Sequence, residues 1–318
     1  MADDRRSNHG LTKYIDRIVQ EVRSKLSTVV KHGDVNAIHD VRVGTRRLKS
    51  AVGLLEGQFS KRLADRFQKA LKSLRRRLGP LRDIDIMSER LRKLSSRDDT
   101  AVRFLLAHLD QERQEALKNV QNINASKILA RLGSWWGLRE QMKEELARSR
   151  LLVLLREQSV QFCQQADTFV LASKMEPQTE KSKQINPHDL RIAGKALRYV
   201  LEIAKVEGLQ MDVSVIRKFK KIQDLLGLWH DYVVLTEKIL SISIKQDVAS
   251  QDALLEKQLL KIALNMAGRS HAALKRFARE WLELGPELLQ RIEAGLDPTG
   301  VVDIKPVVLT AAVETASA

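Results

Sequence analysis

The chain has 318 residues, a net charge of +15, 43% hydrophobic residues and a single cysteine, Cys163. That apolar share is enough for a packed core, which excludes a wholly disordered chain, and one cysteine excludes an internal disulfide. The cationic surplus implies an anionic partner: nucleic acid, a phosphate polymer or a membrane surface.

Helical periodicity dominates and no alternating strand is convincing, so an all-α fold is expected. The first residues, 1–9, read as a tail without the basic-then-apolar pattern of a leader. Helices follow near 10–31, 35–56, 59–79, 81–95 and 98–122. A connector, 123–147, holds Trp135-Trp136, which reads as a packing anchor. The longest aliphatic run, Leu151 to Leu155, is too short to span a bilayer. A second set of helices is expected near 148–172, 187–207, 212–227, 229–244 and 249–280, with a loop at 173–186. A short helix near 284–294 and a mobile tail, 297–318, complete the chain. The expected stops are Gly33, Gly57, Gly79-Pro80, Gly208 and Gly227. Pro187 suits the first turn of the helix that it opens.

One stretch occurs twice. His39-Asp40-Val41-Arg42-Val43, with Arg46, Leu48 and Lys49, returns 149 residues later as His188-Asp189-Leu190-Arg191-Ile192, with Lys195, Leu197 and Arg198. A second pair follows in the same order at an offset of 148: Leu78-Gly79-Pro80-Leu81-Arg82-Asp83 and Leu226-Gly227-Leu228-Trp229-His230-Asp231. Two linked pairs with one residue of slippage indicate an internal duplication, with half-repeats near 10–122 and 148–280. A duplicated cationic surface suggests one large anion site built from two halves.

Within each copy the helical faces divide their work. Val41, Thr45, Leu48, Val52 and Leu55 share one stripe, as do Leu190, Gly194, Leu197, Leu201 and Ala204, and these are the expected core faces. His39, Arg42, Arg46 and Lys49 share another stripe, matched by His188, Arg191, Lys195 and Arg198. Such a row of cations repels itself unless an anion answers it. A single row reads as a solvated face, but its recurrence in register with a histidine favours a site. The following helix adds Lys69, Lys72, Arg75, Arg76 and Arg82 in the first copy, and Arg217, Lys220, Lys221 and His230 in the second. Asp83 and Asp231 are expected to cap the helix after the break or to orient a neighbouring Arg. Residues 39–92 hold 15 Lys and Arg against 6 Asp and Glu, so more than half of the net charge sits in one short stretch.

These residues resemble the CHAD family, an α-helical domain named for its histidines. His39, Arg42, Val43, Arg46, Arg47, Leu48 and Lys49 match its first element, and Leu78, Gly79, Arg82 and Asp83 its second. The stretch from His188 through Lys195, Leu197, Arg198, Tyr199 and Glu202 to Leu226, Gly227, His230 and Asp231 is similar to the second repeat. The resemblance spans about residues 10–280 of a domain taken as 10–296. It implies two four-helix-type bundles related by a pseudo-twofold around a basic central cavity. It also implies binding of inorganic polyphosphate, location at cytoplasmic polyphosphate granules and polyphosphate-metabolising enzymes as candidate partners. Two departures, Ala196 in place of an Arg and Lys49 in place of another, would weaken the second half-site relative to the first.

The residue types suit that ligand. Polyphosphate offers charge without bases to stack on, Arg presents a planar fork to two phosphate oxygens and Lys a mobile point charge. Histidines beside a polyanion are expected to gain protons, so binding should strengthen in mild acid and weaken with salt. The primary contacts are expected at His39, Arg42, Arg46, Lys49, Lys72, Arg82, His188, Arg191, Lys195, Arg198, Lys220 and His230. A further group is Arg47, Lys69, Arg75, Arg76, Arg217 and Lys221.

Nucleic acid binding is the main alternative, with a basic scaffold behind it. Aromatic residues make up only 4% of the chain, so stacking platforms for single strands are lacking. Each repeated His has cations at +3 and +7, which oppose a metal ion, so no metal or other cofactor is expected. Acidic residues do not cluster as phosphoanhydride hydrolysis with metals requires, so a non-catalytic protein is expected. Cys163 lies in a helical pattern near Phe162 and reads as a small buried residue.

Overall fold

The computed structural model describes residues 10–94, 99–174, 186–209 and 213–296, and the two expected tails and most of the 173–186 loop lie outside them. The described residues form helices and no strand. In chain order these are α1 (Gly10–His32), α2 (Val35–Leu54), α3 (Lys61–Arg92), α4 (Thr100–Gln121), α5 (Ala125–Leu132), α6 (Trp135–Arg139), α7 (Glu144–Lys174), α8 (Pro187–Val206), α9 (Val213–Lys245), α10 (Val248–Gln251) and α11 (Ala253–Leu296).

Local signals set many of the boundaries. Asp34 caps α2 by accepting from the Ala37 amide at 2.7 Å. Asn186 caps α8, with Pro187 in its first turn. Gly33, Gly57 and Gly208 lie at positive φ, where a side chain would be strained. The stops expected at Gly79-Pro80 and Gly227 do not occur. Helix α3 runs straight through Pro80 and α9 through Gly227. Pro80 removes one backbone donor, but Leu78 and Leu81 on either side are fully buried, and their packing outweighs the local preference. Likewise the expected short helix near 284–294 is part of α11, which carries Pro286 within it.

The hydrophobic residues form two cores. The larger draws on α1, α2, the N-terminal part of α3, the C-terminal end of α4, α5, α6, α7, α8, the N-terminal half of α9 and the C-terminal half of α11. The smaller joins the other ends of α3, α9 and α11 to α4 and α10. Helices α3 and α9, each about 50 Å long at 1.5 Å per residue, therefore belong to both cores. Both core stripes expected from the repeated motif are buried, Val41, Thr45, Leu48 and Val52 on α2 with Leu55 at its C-cap, and Leu190, Gly194, Leu197, Leu201 and Ala204 on α8. Helix α2 packs on α8, which brings the two motif copies face to face.

Polar ties hold the helices at fixed positions. Trp135 is fully buried and donates from its indole to Asp16 of α1 at 2.7 Å, whereas Trp136 is exposed, so only the first tryptophan is an anchor. Trp281 of α11 makes the like bond to Asp167 of α7, also at 2.7 Å. Arg113 of α4 reaches Asp85 of α3 at 2.7 Å and the Gly33 carbonyl at 2.8 Å. The Asp85 side chain is only 4% exposed, so Arg113→Ala leaves a buried, unpaired carboxylate. The expected loss is about 3 kcal/mol of stability, read by urea denaturation. A change below about 1 kcal/mol would mean that water already screens this pair.

Candidate anion-binding site

The unbroken α3 and α9 carry Arg82-Asp83 and His230-Asp231 in helical phase with the residues before them. Neither aspartate therefore begins a helix. Each orients an arginine instead: Asp83 lies 3.7 Å from Arg42 of α2, and Asp231 lies 3.2 Å from Arg90 of α3. Arg42 also donates to the Arg75 carbonyl at 3.3 Å. A Cβ at position 79 would sit 3.2 Å from the Arg42 guanidinium, so the glycine of the repeated motif gives Arg42 clearance along α3 and does not end the helix.

The two copies meet in one electrostatic cluster. Burial, then Arg46, lowers Arg42 from its ordinary value, although it remains cationic. Arg191, its counterpart on α8, is lowered by burial while Asp231 opposes the shift. The field of Arg46 reaches Arg191 and Lys195 across the α2–α8 contact. Burial, then Arg191 and Arg46, pushes the Lys195 ammonium down to about 7. Burial pushes His230 down to about 4, with Arg191, Lys195 and His188 adding to the effect, and the rings of His188 and His230 lie 5.6 Å apart. His39 is lowered by burial and by Arg82. Asp83 is raised by burial, with Arg42 and Arg46 opposing, although its side chain is 59% exposed. The Nε atoms of Arg42 and Arg191 are buried, and neither has a hydrogen-bond partner among the described residues. Crowded cations with idle donors at equivalent positions are residue types that can answer an anion.

The expected residues divide into three groups. His39, Arg42, Arg46, Arg75, Arg82, His188, Arg191, Lys195 and His230 are linked through this cluster. Lys49, Lys69, Lys72, Arg76, Arg217 and Lys220 are exposed and make no ion pair with described residues. Arg47, Arg198 and Lys221 hold helices together. Glu202 of α8 pairs with Arg47 at 2.8 Å and with Arg198 at 3.2 Å. Arg198 also donates to the buried Gln223 at 2.7 Å, and Lys221 pairs with Glu280 at 2.9 Å. Since Arg47 is committed to Glu202, the Ala196 at its counterpart position removes no member of the cluster.

Sequence reasoning missed Arg90, which holds Asp231 and lies over the Tyr232 ring at 5.6 Å. It sits outside both repeated motifs, and only the packing of α3 on α9 places it there. Tyr14 was also missed. Its hydroxyl is pushed up to about 12 by burial and by Glu202, and it borders a recess of about 390 Å³ with Arg47, Arg198 and Glu202.

An all-α fold that gathers paired Arg, Lys and His from two copies of one motif defines a cationic helical domain. The CHAD domain model matches residues 13–240, and the chain belongs to that family. Its fold is similar to the crystal structure of the CHAD domain from the plant Ricinus communis, with a TM-score of 0.53 at 21% identity, covering 89% of this chain and 88% of that one. No curated protein matches the chain at a significant level. No described helix is long and apolar enough to cross a membrane.

Proposed function

We propose that this protein binds inorganic polyphosphate, without catalysis, in the cluster built by α2, α3, α8 and α9. The observation that carries this reading is the twin pair Arg42 and Arg191. Both are largely buried among other cations, and both have an unpartnered Nε. An isolated surface arginine needs no anion, whereas two at equivalent positions with neighbours of the same sign are strained until one binds. A linear phosphate polymer suits the cluster because its oxygens can be shared among forks without any base to accommodate. His39, Arg46, Arg82, Lys195, His188 and His230 complete the contacts. Location at cytoplasmic polyphosphate granules, beside enzymes of polyphosphate metabolism, follows from this reading.

The test is competition. Labelled long-chain polyphosphate is bound at near-physiological salt, with duplex and single-stranded DNA as competitors. Polyphosphate is expected to prevail by at least two orders of magnitude, and its affinity to fall steeply with salt, by analogy with counterion release from DNA. Equal competition by DNA would move the reading to nucleic acid. A flat salt response would remove the electrostatic account.

A further inference from the structure

The α9 helix carries cations outside the central cluster, and their phase is informative. Arg217, Lys220, Lys221, Asp224, Leu228 and Asp231 fall at spacings of three, four, seven, eleven and fourteen residues from the first, which is one stripe of an α-helix. The stripe ends at Asp231, the residue held by Arg90 and in the field of Arg191 and Lys195. Its other end, at Arg217, lies about 21 Å away along the axis. Between them is an open groove of about 440 Å³, bordered by Arg90 from α3, Arg276 from α11 and the α9 side chains from Arg217 to Leu228.

The groove keeps a net positive charge after its internal pairs are counted. Arg90 is answered by Asp231, and Lys221 and Arg276 share Glu280 at 2.9 and 3.6 Å. Asp224 lies 3.8 Å from Arg198. Arg217 and Lys220 make no ion pair with described residues, so they and one of the two cations around Glu280 remain unanswered. An open groove with mobile cations suits a flexible polyanion better than a compact one, because each contact can be made by a different unit of one chain.

We infer that this groove is a second stretch of the polyanion site, so that a phosphate polymer long enough to leave the central cluster past Arg90 runs along α9 towards Arg217 and Arg276. This rests on the proposed polyphosphate reading and adds selection for chain length. Once one end is held, further contacts form within the same complex and raise affinity without a second encounter.

The experiment compares triphosphate with long-chain polyphosphate on the full chain, by calorimetry, in wild type, in Arg217→Ala/Arg276→Ala and in Lys257→Ala/Lys261→Ala. The last variant removes the same charge from exposed positions of α11 outside the groove. The ratio of long-chain to triphosphate affinity is expected to fall about tenfold in the groove variant and to stay at the wild-type value in the other. Equal ratios in wild type and the groove variant would overturn the groove. A fall of the same size in both variants would also overturn it, since general charge would then account for the effect. If wild type binds neither ligand, the polyphosphate reading itself fails, and that result is separate from either of these.

Discussion

Arg42→Met/Arg191→Met is expected to lose roughly 10²–10⁴-fold in polyphosphate affinity while the empty protein stays at least as stable as wild type. Methionine keeps an unbranched apolar stem in place of the arginine stem and removes the charge. Each guanidinium is expected to supply a charge-assisted bond of about 1.5–3 kcal/mol, so two account for about 3–6 kcal/mol, and 1.4 kcal/mol is tenfold in affinity. The empty protein loses little. Arg42 gives up one bond to the Arg75 carbonyl and a 3.7 Å approach to a well-exposed Asp83. Against that, two desolvated cations leave a crowd of like charge, and two buried Nε atoms no longer lack partners. Calorimetric titration and thermal denaturation, run on the same samples, check both halves. Wild-type affinity in the double variant would show that the twin arginines are not the site. A large drop in melting temperature would show that they are structural.

Polyphosphate binding is expected to take up a proton near neutral pH, chiefly on Lys195. In the empty protein its ammonium is pushed down to about 7 by burial and by Arg191, Arg46 and Arg42, with Asp231 opposing. A bound polyanion reverses the balance and returns Lys195 towards its ordinary value, so affinity is expected to fall by up to about tenfold per pH unit above 7. The sign for stability is opposite. Between about 7 and the ordinary lysine value the unfolded chain binds more protons than the folded one, so the empty protein gains stability as pH rises through that window. Below about 7 this cost is fully present and flat. The histidines act lower, because burial pushes His230 down to about 4, where it is neutral in the empty protein at mildly acidic pH, and burial with Arg82 lowers His39 as well. Any strengthening in mild acid therefore requires the ligand to charge them. Titrations in buffers of different ionisation enthalpy measure the uptake, with Lys195→Met as the variant that loses both it and the stability slope. Binding at pH 8 without proton uptake would rule out Lys195 as the linked group.

Much of this molecule was legible in the sequence because it depends on local rules. The 3.6-residue period places Val41, Leu48 and Leu190 inside, and the same period places Arg42 and Arg191 on a different face. Pro187 and the glycines at 33, 57 and 208 act within a few residues of themselves, so they mark helix ends without reference to the rest of the chain. The motif that recurs 149 residues further on pointed to two cationic rows, which α2 and α8 bring into one cluster. Pro80 and Gly227 misled because a breaker sets only a local cost. Leu78 and Leu81 pack on the same core as helices far along the chain, and that burial decides the outcome.

The sequence by itself therefore determined the helical class, the inward faces and the placement of the cationic rows. Only the tertiary structure decided which of those cations are available. Arg47, Arg198 and Arg42 look alike as letters, yet Glu202 holds the first two, while the third is buried among other cations with an idle Nε. The reason is physical. A side chain's period along its own helix follows from the backbone, but its partner comes from another helix, and Arg47 meets a carboxylate 155 residues away. Arg90, the Trp135–Asp16 tie and the burial that depresses Lys195 likewise depend on surfaces that exist only once the helices have packed.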